Sequence, residues 1–112
     1  MPRYLISFDD GAMDHLGGDL VQAGIDAHAV LRDAKAANVW ITGGGLLRQQ
    51  AHIVDTDGTV RLGDVPERKA VLGGFALIEV ATLDEALGWA HRIAAACRCA
   101  QEVRLVMDDP EV

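Results

Sequence analysis

At 112 residues, with 50% apolar and 24% charged side chains, the chain has the size and composition of one folded domain, which excludes a disordered segment. No apolar run approaches the roughly 18 residues of a membrane span. The formal charge of −7 excludes the basic footprint that nucleic acid or an anionic membrane surface requires. The charge is uneven: six aspartates (Asp9, Asp10, Asp14, Asp19, Asp26, Asp33) against Arg32 alone leave −5 between residues 9 and 33, and −2 for the remainder.

Tyr4-Leu5-Ile6-Ser7-Phe8 predicts a short first strand, rich in aromatic and branched residues and stopped by Asp9-Asp10-Gly11. Two aspartates this early interrupt any signal-peptide apolar region, so a cytoplasmic location is expected. From about Gly18 to Asn38, Leu20, Gly24, Ala27, Leu31, Ala34 and Ala37 recur at three- and four-residue steps, the period of an amphipathic helix. Asp14 and Asp19 suit its positive N-terminal end. A second strand over about Val39–Thr42 runs into Gly43-Gly44-Gly45. Ala51–Asp55 and Thr59–Leu62 flank Thr56-Asp57-Gly58, a β-hairpin signal, because Asp-Gly favours positive φ at a tight turn.

Residues 63–72 hold Pro66 with Asp64, Glu67, Arg68 and Lys69 and predict an exposed loop. Gly74–Val80 is the clearest strand. Thr82-Leu83-Asp84-Glu85 is a capping box, and Leu83, Ala86, Leu87, Ala90, Ile93, Ala94 and Cys97 make one apolar stripe of the helix it starts. Glu102–Met107 is a last strand before Asp108-Asp109-Pro110.

The order is βαβ, an inserted hairpin, then βαβ, which predicts a ferredoxin-like βαββαβ α+β sandwich in one domain over residues 1–112. Two helices cover one face of such a sheet. The strands are nonetheless apolar on both sides: Phe75 and Leu77 oppose Ala76, Ile78 and Val80. A whole apolar sheet face is rarely left to water, so a homodimer is expected.

Leu72-Gly73-Gly74-Phe75-Ala76-Leu77-Ile78-Glu79-Val80, continuing through Thr82-Leu83-Asp84-Glu85-Ala86-Leu87-Gly88-Trp89, resembles the YCII-related proteins, in particular the branch named for its DGPFAETKE motif. His28 on the first helix, Val39, Gly43-Gly44-Gly45-Leu46 and Val103–Met107 fit the same layout. The resemblance spans nearly the whole chain. It implies a dimeric α+β barrel with two sheets face to face, and a cleft histidine at His28. The motif falls on Leu62–Ala70, where only Gly63, Glu67 and Lys69 match. Leu62 replaces the leading acidic residue. The aspartate that the family pairs with the histidine falls at Ala36-Ala37.

His28 is thus the candidate catalytic or ligand-orienting group, since imidazole titrates near neutrality, with Asp9 a second catalytic candidate. Glu67 and Lys69 are candidate ligand-binding residues, placed to fold over a cleft mouth. No metal or cofactor is expected: His15 among its aspartates lacks ligand spacing, and Cys97-Arg98-Cys99 lacks the second pair that structural zinc needs. Cys97 continues an apolar stripe and reads as a core thiol. Two functions follow. One is a small-ligand protein, as an enzyme a cofactor-independent lyase, isomerase or hydrolase. The other is a non-catalytic module bound to a regulatory protein, since DGPF-type proteins resemble ones encoded beside alternative sigma factors, or a structural dimer with a vestigial site.

Overall fold

The computed structural model describes residues 1–63 and 72–112. In chain order the elements are β1 (Arg3–Asp9), α1 (Leu20–Ala36), β2 (Trp40–Gly45), β3 (Ala51–Val54), β4 (Val60–Gly63), β5 (Leu72–Glu79), α2 (Leu83–Cys97) and β6 (Glu102–Leu105). A short 3-10 segment, Asp14–Asp19, leads into α1. The main sheet runs β2-β5-β1-β6 with every neighbouring pair antiparallel, the ferredoxin-like order.

Alternation along the strands sorts the core. Tyr4 and Ile6 of β1 and Ala76 and Ile78 of β5 face the helices, and with Val80, Ala86 and Ala90 they form the buried cluster. Ile6, Ile78 and Val80 are its largest fully buried side chains, and each contributes on the order of 1.5–3 kcal/mol by leaving water. The helices present mostly alanine here, with Ala23 and Ala34 from α1 and Ala86, Ala90 and Ala96 from α2 buried. Trp40, Trp89 and Ile93 close the margins of the cluster.

The capping box forms as expected on one side: Thr82 Oγ1 accepts from the Glu85 N–H at 3.2 Å. The Glu85 carboxylate reaches one residue further back than the usual motif and accepts from the Ala81 N–H at 3.3 Å. At α1, Asp19 occupies the N-cap position without capping, because its carboxylate accepts instead from Arg98 Nε at 2.8 Å. The same guanidinium reaches Asp26 at 3.0 Å, so Arg98, in left-handed backbone at the end of α2, ties the two helices together.

β2 extends through the glycine run to Gly45, further than the predicted Thr42. Gly43 is there for space: a Cβ would lie 2.5 Å from the Phe75 carbonyl oxygen and 2.9 Å from Ala76 Cα. β6 ends at Leu105, short of the predicted Met107. The hairpin forms where its turn residues place it, with Gly58 at φ +87° closing a three-residue loop whose Asp57 side chain accepts from the Thr59 N–H at 2.9 Å. Among the described residues it makes a separate two-stranded sheet and joins no strand of the main one.

The sheet face away from the helices carries Leu5, Phe75 and Leu77, all half-buried, as the alternation predicts. Its charged residues are matched in place: Arg3 with Glu79 at 3.1 Å, and Arg104 with Glu102. Among the described residues no helix is long and apolar enough to cross a membrane.

Candidate functional site

The C-terminal ends of β1 and β2 and the start of β5 meet at one edge of the sandwich. Phe8, next to last in β1, has a ring that lies on Gly73 and Gly74; a Cβ at Gly74 would stand 2.6 Å from that ring. The glycine pair preceding Phe75 therefore exists to receive Phe8. Beside it the Leu46 N–H donates to the Gly73 carbonyl at 2.9 Å, which brings the segment after β2 against β5.

A cleft of about 320 Å³ opens at this corner, lined by Phe8, Met13 and Leu46 on the apolar side and by Asp10, Asp14 and Arg48 on the polar side, with Gly11, Gly45 and Gly73 between. Its volume is at the lower end of small-molecule sites. Arg48 Nη2 donates to both oxygens of Asp14 at 2.7 Å, and Nε donates to Asp10 at 3.3 Å. These carboxylates, Asp14 first, hold the guanidinium pKa above its ordinary value, so Arg48 is a permanent cation. Asp10 is the more enclosed acid, its side chain 22% exposed against 61% for Asp14.

Gly11 permits this closure. Its φ of +83° suits only glycine, and a Cβ there would press within 3.3 Å of Asp14 and 3.4 Å of Arg48. The acidic segment after β1 thus places two of its aspartates on one arginine.

His28 is exposed near the middle of α1 and is not among the residues lining this cleft. The reason is helical phase: the buried side of α1 runs through Ala23 and Ala34, and position 28 turns away from it toward solvent. Asp9 is exposed, beyond a bulge in the β1–β5 ladder, and its neighbour Asp10 enters the cleft instead. Glu67 and Lys69 lie outside the described residues. Arg48 carries no motif, and sequence reasoning missed it; the one available signal was a lone cation shortly after the glycine run, opposite an acidic loop.

Elsewhere, Cys97 is buried and Cys99 half-buried, and both are free thiols. Burial pushes both thiol pKa values up, which makes them poor nucleophiles. Among the described residues no group of three His, Cys, Asp or Glu side chains could hold a metal ion.

An antiparallel β2-β5-β1-β6 sheet backed by two helices, with a polar cleft at one strand end, defines a ferredoxin-like α+β protein. The chain belongs to the YCII-related domain family, whose model matches residues 5–108. Among solved structures it is similar to the 5-chloro-2-hydroxyhydroquinone dehydrochlorinase of Burkholderia phenoliruptrix in complex with 2,5-dihydroxybenzoquinone, with a TM-score of 0.56, 16% identity, and coverage of 99% of this chain and 98% of that one. That likeness is one of fold. No curated protein matches the sequence.

Proposed function

We propose that this protein is a homodimeric, cofactor-independent enzyme that binds a small oxygenated ring compound in the Arg48 cleft and acts on it by proton transfer. The observation that carries the reading is the Asp10–Arg48–Asp14 cluster set beside Phe8, Met13 and Leu46 in a cleft of single-ring size. A fixed cation next to an apolar wall suits an enolate or phenolate oxygen, whose developing charge it stabilises. Asp10, on the same guanidinium, is the proton acceptor of the reading. The dihydroxybenzoquinone held by the structurally similar dehydrochlorinase supports the ligand class. The polar centre of the reading is Arg48, in place of His28.

The test is a titration of the protein with 2,5-dihydroxybenzoquinone and with hydroxyhydroquinone, read by thermal shift and by the ring's absorbance. A saturable rise in melting temperature that Arg48→Gln abolishes supports the cleft. No shift with either compound in the wild-type protein, or an equal shift in Arg48→Gln, overturns it.

The dimer rests on the half-buried Leu5, Phe75 and Leu77 on the uncovered side of the sheet. Sedimentation equilibrium at micromolar concentration is expected to give twice the monomer mass, and Phe75→Asp with Leu77→Asp to give the monomer. A stable wild-type monomer overturns the dimer and leaves the cleft reading standing.

A further inference from the structure

Among the described residues, the β3–β4 hairpin pairs with no strand of the main sheet, and its extensive contacts are between its own two strands. Its register sorts its side chains. His52 stands opposite Leu62, and Val54 opposite Val60, on one face; Ile53 and Arg61 share the other. Ile53 closes over Gly63, where a Cβ would lie 2.4 Å from the isoleucine Cδ1, so that face is internally filled. The opposite face is bare: Val54 is 66% exposed, Val60 58% and Leu62 55%. A lone two-stranded hairpin is marginal in water and needs a surface to lie on.

The dimensions agree. The molecule is a slab of 44 × 43 × 18 Å with a radius of gyration of 15.6 Å, against about 13 Å for a compact domain of this length. A thickness of 18 Å is that of the sheet and helix layers alone. Four strands at about 4.8 Å spacing span about 14 Å between their axes, roughly a third of the breadth. The hairpin therefore adds to the breadth of the slab and does not fold back as a third layer.

We propose that this hairpin is an arm exchanged between two copies of the chain: its Val54–Val60–Leu62 face docks on the second copy, at the rim of the sheet face that carries Leu5, Phe75 and Leu77. The inference rests on the homodimer reading above and goes beyond it. Each copy presents one exposed arm and one half-buried apolar sheet face, which a twofold axis satisfies reciprocally. Charge selects the same surface. A chain of −7 repels its copy, yet the charged residues of the sheet face cancel as Arg3–Glu79 and Arg104–Glu102. The −5 of residues 9–33 belongs mainly to α1 and the segment leading to it, off this face. The sheet face is also open at the β2 edge: no atom lies within 4 Å of a Cβ placed on Gly44, opposite Phe75.

The test replaces the bare face without disturbing the hairpin's strand preference: Val54→Thr, Val60→Thr and Leu62→Thr together, in the full chain. Sedimentation equilibrium is expected to show the dimer dissociation constant raised by at least about tenfold, with the far-ultraviolet circular dichroism unchanged. In the wild type, hydrogen exchange at residues 52–62 is expected to slow as the protein is concentrated through the dimerisation range, which needs no variant. A dimer whose dissociation constant is unchanged in the triple variant, or arm amides whose exchange is independent of concentration, overturns the arm and leaves the sheet-to-sheet dimer intact. A wild-type monomer overturns both.

Discussion

Arg48 Nη2 stands 2.7 Å from both carboxylate oxygens of Asp14, a residue 34 positions earlier in the chain. The contact joins the acidic segment after β1 to the segment after β2, and it builds the polar wall of the cleft. Both side chains are 61% exposed, and an ion pair in that setting adds little to stability. The pair is a feature of the site more than of the fold.

Arg48→Gln is therefore expected to leave the melting temperature nearly unchanged while removing the ligand-induced shift. Parallel thermal melts with and without 2,5-dihydroxybenzoquinone measure both. A large loss of intrinsic stability would show that the pair holds the fold instead.

His28→Ala is expected to leave the same ligand titration unaltered, because residue 28 sits exposed on α1 and outside the cleft. Loss of the ligand response in this variant, with the fold retained, would return the histidine to the site.

Gly43 and Gly44 are neighbours with opposite predicted tolerance. A methyl at 43 would meet the Phe75 carbonyl at 2.5 Å and the Trp40 ring at 2.8 Å, whereas one at 44 meets nothing within 4 Å. Gly43→Ala is expected to cost about 1–3 kcal/mol in urea unfolding, and Gly44→Ala to be neutral or slightly stabilising in the monomer. Equal effects would show that the glycine run serves flexibility and not close packing.

Thr82→Ala removes the hydroxyl that caps α2 through the Glu85 N–H. The expected loss is about 1 kcal/mol by denaturant unfolding, with no effect on ligand binding, since α2 supplies no residue to the cleft.

Asp26 accepts from Gln22 at 2.9 Å and from Arg98, and these contacts, Gln22 first, hold its pKa below the ordinary carboxylate value in the folded state. A group whose pKa is lowered on folding stabilises the fold above its unfolded pKa, and that contribution is lost as pH falls through the folded pKa. Carboxyl-carbon NMR is expected to show Asp26 titrating below the usual carboxylate range, and to show it rising in Gln22→Ala. Asp26 titrating at its ordinary value in both proteins would contradict the contact.

Much of the fold was legible in the residue pattern because its signals are local. Alternation in Gly74–Val80 marked β5 and sorted Phe75 and Leu77 onto one face. The Thr82–Glu85 box marked the start of α2, and Asp57-Gly58 marked the hairpin turn. Distant residues set what local preference does not. Asp19 stands at the N-terminal end of α1, yet its carboxylate accepts from Arg98, 79 residues on, and caps no backbone N–H. Gly43 and Gly44 look alike in sequence, and only the position of Phe75 tells them apart.

The cleft shows the same division more sharply. A −5 stretch in residues 9–33 announces an acidic region, and periodicity along α1 marks a stripe of which Ala34 is buried, while Leu20 is exposed and the buried Ala23 lies outside the stripe. Neither says that Arg48 meets Asp14 and Asp10, because no repeat or spacing links side chains from separate elements. That meeting is set by the antiparallel order β2-β5-β1, which brings the end of β2 and the end of β1 to the same edge on either side of β5. Local residue preferences determined the elements and the two-sided character of the strands. Their packing in three dimensions decided which charged groups share a corner, since that depends on strand order and register, quantities summed over the whole chain.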